Sequence, residues 1–467
     1  MKMNLAFFAI LILSLAAPLP GQNVPDFIEA RDEAVRTLQA LIRIDTSNPP
    51  GNETKVAEHL KAILDREGIP SEILALEPAR GSLLARLRGN GSKRPLLLMA
   101  HTDVVGVERD KWTVDPFAAT IRDGYVYGRG ASDDKDDVAA MLQVLLMLHR
   151  RRVPLDRDVI FLAASGEEGG PPVGVPFLVE QHWPKIEAEI AINEGGAIHV
   201  RDSKVQYVAI QTAEKLPRGI RLVTRGVSGH GSVPRPDNPL ARIGAAVAKV
   251  AEYQPPMRLN ETTRAFFQRL ARISPPEEAR LLTNLEDPAV QETLRNSTNR
   301  SYLTYNSMIR TSISPNIIRG GFRTNVIPAE AEAILDVRLL PGESREELIE
   351  ELRRVINDPS VEILPEDWAP MTPSPPSRLD SELFRALENA QARVFPEAIT
   401  LPTMSTGATD SSHLRAKGMQ VFGIGSVGSD TDRERAHGHD ERLWIEGYGK
   451  FLELIYRAVV EVAGAQP

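Results

Sequence analysis

Apolar and polar positions recur along this chain with two periods, and each change of period marks an element. Residues 30–42 and 54–67 carry apolar side chains at helical spacing, the second stretch entered past the loop-forming Asn48-Pro49-Pro50-Gly51. Short unbroken apolar runs follow at 96–100, 159–164 and 189–192, and these predict strands buried on both faces. Between the first two lies a helical stretch, 136–149, with its apolar residues at Val138, Met141, Leu142, Leu145, Leu146 and Leu148. Strands alternating with helices predict an α/β domain: a mostly parallel sheet with helices on both faces. The order changes after Gln211. A strand is expected at 220–223, a helix at 239–253, strands at 324–327 and 331–339 joined by a turn at Pro328, a helix at 344–356 and a strand at 361–364. The intervening 255–310 is polar and reads as irregular. This is the β-α-β-β-α-β order of a smaller ferredoxin-like α+β domain. A proline-rich break at 365–376 precedes a return of helix and strand signals. The expected layout is a large domain in two parts, 22–215 and 371–467, interrupted by the smaller one at 216–370.

The first twenty residues follow neither period. Lys2 precedes an apolar run over 5–17, too short for a spanning helix and followed by small residues. Residues 1–21 are therefore expected to be a secretory signal peptide directing export to the periplasm or the extracellular space, the alternative being an N-terminal membrane anchor. No later stretch has the length and apolarity of a membrane span.

Composition narrows the chemistry. The 467 residues carry a net charge of −8, which argues against a nucleic-acid partner. Cysteine is absent, which removes thiol nucleophiles, disulfides and thiolate metal sites. Any metal must be held by the nine histidines and the carboxylates.

Four polar clusters punctuate the large domain: His101-Thr102-Asp103 at a strand exit, Ser132-Asp133-Asp134 before a helix, Gly166-Glu167-Glu168-Gly169 after the second apolar run, and Asn193-Glu194-Gly195 after the third. Each alone reads as easily as a solvated loop or a helix cap. Together they fall at the carboxyl ends of strands, where open α/β sheets bind ligands. Such a set of acids repels itself unless cations lie among it. Near the C-terminus His437 and His439 each offer a further imidazole. A set of His101, His437, Asp133, Glu168 and Glu194 suits two Zn²⁺ ions bridged by Asp133 and a water, with Co²⁺ or Mn²⁺ as alternatives. Asp103 would then orient His101, and Glu167 would be free to act as general base.

The segments HTDVV (101–105), GRGASDDK (128–135), SGEEGG (165–170), NEGG (193–196), SGHGSVP (228–234) and HGHDE (437–441), in this order, resemble the metallopeptidase family of glutamate carboxypeptidase, aminoacylase, carboxypeptidase S, acetylornithine deacetylase and succinyl-diaminopimelate desuccinylase. The stretch from His101 to Lys135 is most similar to the carboxypeptidase S-like branch. The resemblance implies that His101 and Glu194 hold one zinc ion, Glu168 and His437 the other, and that Asp133 bridges them. It prefers His437 to His439, makes Glu167 the base, and makes the smaller domain a lid through which the chain forms a homodimer. His230 would stabilise the oxyanion from the partner subunit, and Asn316 and Arg338 resemble lid positions that touch substrate or support the lid structurally. In one place the sequence departs from the pattern. Where relatives that grip a free carboxylate carry Arg after a Thr-Asp pair, this chain has Ser412, and Arg415 is the nearest replacement. The expected activity is hydrolysis of an amide bond in a small peptide, by a carboxypeptidase or dipeptidase. The alternatives are an N-acyl-amino-acid amidohydrolase or a non-catalytic binding protein on the same scaffold.

Overall fold

The computed structural model describes residues 25–170, 172–366 and 371–465. The expected leader at 1–21 lies outside them. Among the described residues no helix is long and apolar enough to cross a membrane.

The apolar runs become the centre of a ten-stranded sheet. Val159–Ala164, Leu96–His101, Ile190–Asn193 and Gln420–Gly423 lie side by side and parallel. Antiparallel neighbours flank them, Gly81–Leu87 on one side and Lys204–Glu214 on the other. Every residue of Leu96–His101, Val159–Ala164 and Ile190–Asn193 is buried, as a strand covered on both faces requires. Alternate side chains go to opposite layers. Leu96, Leu98 and Ala100 pack under the helices Phe27–Ile42, Lys135–Arg150 and Ile445–Ala463, whereas Leu97 and Met99 pack against Val175–Gln181 and Ser411–Ala416.

The smaller unit is a four-stranded antiparallel layer in the order Val361–Glu366, Gly219–Arg225, Glu330–Leu339, Ser312–Gly320, with Leu216–Pro217 extending it. The helices Pro239–Glu252 and Arg345–Ile356 cover one face, and Ile220, Leu222, Ile243, Leu335 and Leu352 form its core. The ferredoxin-like order holds, with one strand misplaced by the sequence pattern. The second strand is Ser312–Gly320, not 324–327. It is an edge strand, exposed along most of its length, so no hydrophobic alternation announces it. Val326–Ile327 instead pairs with Gly229–His230 in a separate two-residue ribbon.

The stretch 255–310 is not irregular. It folds into Glu261–Leu270, Pro276–Thr283, Pro288–Arg295 and Arg300–Met308. Three of these are capped by Asn260, Asp287 and Asn299, and each buries only a few apolar residues, so a polar composition hides them. Phe266, Phe267, Leu270, Leu282 and Leu294 pack with Ala213, Leu401 and Met404 of the large sheet.

Candidate active site

The parallel strands deliver the clusters to one edge of the sheet. His101 is the last residue of its strand, Glu167 and Glu168 come just after Ala164, and Glu194 directly follows Asn193. Asp133 stands before the helix Lys135–Arg150, and His437 arrives from the loop ahead of Arg442–Trp444. The turn at Gly195 has φ +105°, and a Cβ there would lie 2.3 Å from Gln211 Oε1, so this strand exit requires glycine.

Asp133 is the centre of the arrangement. Its Oδ1 is 3.2 Å from His101 Nε2, and its Oδ2 is 3.0 Å from His437 Nε2. Glu168 Oε1 lies 3.0 Å from the same His437 nitrogen, and Glu194 Oε2 lies 4.0 Å from His101 Nε2. Ligand atoms of His101, Asp133 and Glu168 fall within 4.8 Å of one another, as do those of His101, Glu167 and Glu194. One carboxylate thus offers one oxygen to each imidazole, with a further acid on each side. This donor set fits a pair of divalent ions sharing Asp133.

Electrostatics point the same way. Burial works against the carboxylate of Asp133, yet hydrogen bonds from His101 and His437 hold it well below the usual range. Hydrogen bonds to Asp133 and Glu168 lift His437 to about 10. Burial opposes charge on His101, but Asp103 and Asp133 raise it well above an ordinary imidazole. Burial, with repulsion from neighbouring acids, pushes Glu194 up to about 8 and Glu167 well above the carboxylate range. The acids are too many for the positive charge the chain itself supplies. The raised imidazoles and glutamates mark an excess of negative charge that cations would relieve.

Asp103 does more than orient His101. The ring Nδ1 is 3.0 Å from the backbone carbonyl of Asp103 and 3.6 Å from its Oδ1, so the closer contact is to the main chain. The Asp103 carboxylate accepts the backbone N–H groups of Glu167 and Glu168, each at 3.0 Å, and an N–H of Asn48 at 2.9 Å. It fixes the loop that carries both glutamates. Glu441 plays the matching part for the other loops. It is buried, pairs with Arg129 at 2.5 Å and accepts the N–H groups of Gly130 and Ser132, joining the turn before Asp133 to the segment bearing His437. Sequence reasoning missed Asn48, and saw Glu441 only as part of a motif. Both are ordinary polar loop residues whose partners lie far away in the chain.

A cleft of about 490 Å³ opens over the cluster, lined by Asp133, Glu167, Glu168, Glu194 and His437 together with Met371, Ala408, Asp410, His413 and Arg338. Asp410 was not singled out by its pattern, yet it is buried there, with its carboxyl pushed up to about 7 by burial. Arg338 sits in a strand of the smaller unit and is gripped by Asp336 at 2.7 Å. His439 contacts Glu108 rather than the acidic cluster. Ser412 is buried and bonds to the Thr409 carbonyl. Arg415 does not replace the absent cleft arginine: it is buried behind the wall, bonded to the Val421 carbonyl and facing Glu214 at 3.4 Å. His230 is exposed, bonded to Ser232, and is not among the residues lining this cleft. Asn316 is exposed on the edge strand and bonds to Ser314.

Against known proteins, the profile of peptidase family M20/M25/M40 matches residues 97–461. The chain is 30% identical over 394 residues to the probable carboxypeptidase S-like 2 of Dictyostelium discoideum, covering 82% of this chain and 74% of that one. It is 28% identical over 467 residues to the human N-fatty-acyl-amino acid synthase/hydrolase PM20D1, covering 95% and 90%. The crystal structure of the M20 family metallo-carboxypeptidase Sso-CP2 from Sulfolobus solfataricus superposes with a TM-score of 0.71 at 20% identity, covering 92% of this chain and 99% of that one.

Proposed function

The chain belongs to peptidase family M20/M25/M40 and is a hydrolase acting on amide bonds, and from that premise we propose that it cleaves N-acyl-amino acids with the help of two zinc ions. The observation that carries the metal reading is the carboxylate of Asp133, set with one oxygen toward each of two imidazoles. His101 and Glu194 would hold one ion, Glu168 and His437 the other, with Asp133 between them. Ions bound there would polarise the amide carbonyl and make a nearby water acidic.

The protein's own groups supply the rest. Glu167, whose carboxyl is raised by burial and by the charge of Glu194, takes a proton from the attacking water and passes it to the leaving amine. Asp103 holds the Glu167 backbone so that the base cannot drift. Arg338 brings positive charge to the cleft wall, where the carboxylate of the amino-acid half belongs. His230 is assigned to a second copy of the chain, since it does not line the cleft of its own.

Acyl groups are favoured over peptides by the apolar part of the cleft lining. Met371, Ala408, Pro172, Pro176 and Pro217 present apolar surface to the cleft. The likeness to a hydrolase named for fatty-acyl amino acids, over nearly the whole chain, supports the same reading. The carboxypeptidase name of another relative keeps small peptides as the second reading. A substrate panel on the zinc-loaded protein separates them. N-acyl amino acids should be turned over with a higher kcat/KM than dipeptides or C-terminally blocked peptides, and the reverse order would overturn the choice. Lys2 and the apolar run over 5–17 support export, which N-terminal sequencing of the protein recovered outside the cell would test.

A further inference from the structure

A second cavity, of about 240 Å³, adjoins the cleft. Asp133 and Glu194 form part of the wall of both. Its other walls include Asp134, Asp136 and Asp137 from the start of the helix Lys135–Arg150, with Trp444 and with Ser426, which hydrogen-bonds to the Asp136 carboxylate. All three aspartates are at most 3% exposed. One oxygen from each lies within 4.8 Å of the others. Asp134 spends its Oδ2 on the backbone N–H of His101. Asp136 Oδ1 and Asp137 Oδ1 are buried and have no hydrogen-bond partner.

The cations nearby are committed elsewhere. Lys135 turns its ammonium to the carbonyls of Leu41 and Ile44. Arg433 bonds to Gly428 and Asp430, and Arg442 to Asp432 and Tyr127. The helix N-terminus offsets only a small part of the cost of these charges. Burying an acid with an idle oxygen costs more than that.

We propose that Asp134, Asp136 and Asp137 form a cation site of their own, separate from the cleft, taking a hard divalent ion of the Ca²⁺ type. The donors are all oxygens, with no imidazole or thiolate among the three, which selects against Zn²⁺ and for Ca²⁺. The cavity leaves room for the waters that Ca²⁺ needs to complete its shell. An ion here would pin the first helical turn directly after Asp133, and so hold the bridging carboxylate in place.

The test is a calcium count on the full-length protein, with and without saturating Zn²⁺. One tightly bound Ca²⁺ per chain is expected in both conditions. Tb³⁺ in its place should give luminescence excited through Trp444, which lines the cavity. The double variant Asp136→Asn/Asp137→Asn should lose calcium affinity by roughly 100-fold or more, since ligand charge sets Ca²⁺ affinity, while binding the same amount of zinc. If that variant does not fold, Asp137→Asn alone should show the same direction. The proposal is overturned if the wild-type protein binds no Ca²⁺ up to millimolar concentration, if Zn²⁺ displaces the calcium, or if the variants bind it unchanged. The first result would mean that the three acids are simply protonated, and the second that calcium had been in the cleft. None of these outcomes depends on which amide the enzyme cleaves.

Discussion

Glu167 has what a proton carrier needs. Its backbone is tied to Asp103, its carboxyl is lifted by burial and by Glu194, and it lines the cleft beside the Asp133 cluster. Glu167→Gln keeps the shape and removes the proton acceptor. It should therefore lower kcat by roughly 10²–10⁴-fold while zinc content is unchanged, and an active variant or a zinc-free one would remove Glu167 from the role of base. Lys215 makes a different residue-scale argument. It is buried where the large sheet passes into the smaller unit, donates to Ser307 and Ser312, and is pushed down to about 7, by burial first and by Arg338 second. A lysine whose folded pKa is depressed binds fewer protons folded than unfolded between the two values. Its contribution to stability is full above the unfolded pKa and is lost as pH falls to the folded one. The stability of wild type relative to Lys215→Met should thus rise from about pH 7 to about pH 10. Denaturant unfolding at several pH values checks this, and a pH-independent difference would contradict it.

At the scale of elements, the site is a set of loops clamped by two buried acids. Asp103 ties the strand exit at His101 to the Glu167–Glu168 loop, and Glu441 ties the turn at Gly130 to the segment of His437. Glu441→Ala leaves Arg129, only 2% exposed, without a carboxylate to balance its charge. That should cost roughly 3–5 kcal/mol of stability and weaken metal binding by releasing His437. Unfolding measured with and without zinc would show both effects, and a variant as stable as wild type would refute the clamp. These clamps also mark where the sequence stops being legible. His101, Glu167 and Glu194 were readable because strands buried on both faces are unbroken apolar runs, so an acid or imidazole at the exit stands out. Asn48 and Glu441 act through partners 55 and 312 residues away, a distance no local pattern encodes. The strand Ser312–Gly320 was lost for the opposite reason: an exposed edge has no hydrophobic contrast to read. The helices between 261 and 308 were lost because each buries too little to show a stripe.

At the scale of the whole molecule, we assign His230 to the relation between two chains. Within one chain it sits on the short ribbon of Gly229–His230 with Val326–Ile327, exposed and not among the residues lining the cleft. Phe322, 79% exposed, and Val233, 66% exposed, stand on the segments that flank the same ribbon. If, as we propose, the chain pairs through the smaller unit and each copy lends His230 to the other, the two kinds of catalytic damage must be separable by mixing. His230→Ala spoils the partner's cleft, whereas Glu167→Gln spoils its own. Each variant alone should be nearly inactive. In a freely exchanged mixture half of the dimers carry one of each chain. In those, the His230→Ala copy keeps its own Glu167 and receives His230 from its partner, so one cleft in two works. The mixture should regain about a quarter of wild-type activity, a consequence of two-fold symmetry that neither variant can produce alone. Sedimentation of the wild-type protein as a monomer, full activity of His230→Ala alone, or no recovery in a mixture shown to contain mixed dimers would each place His230 outside the reaction.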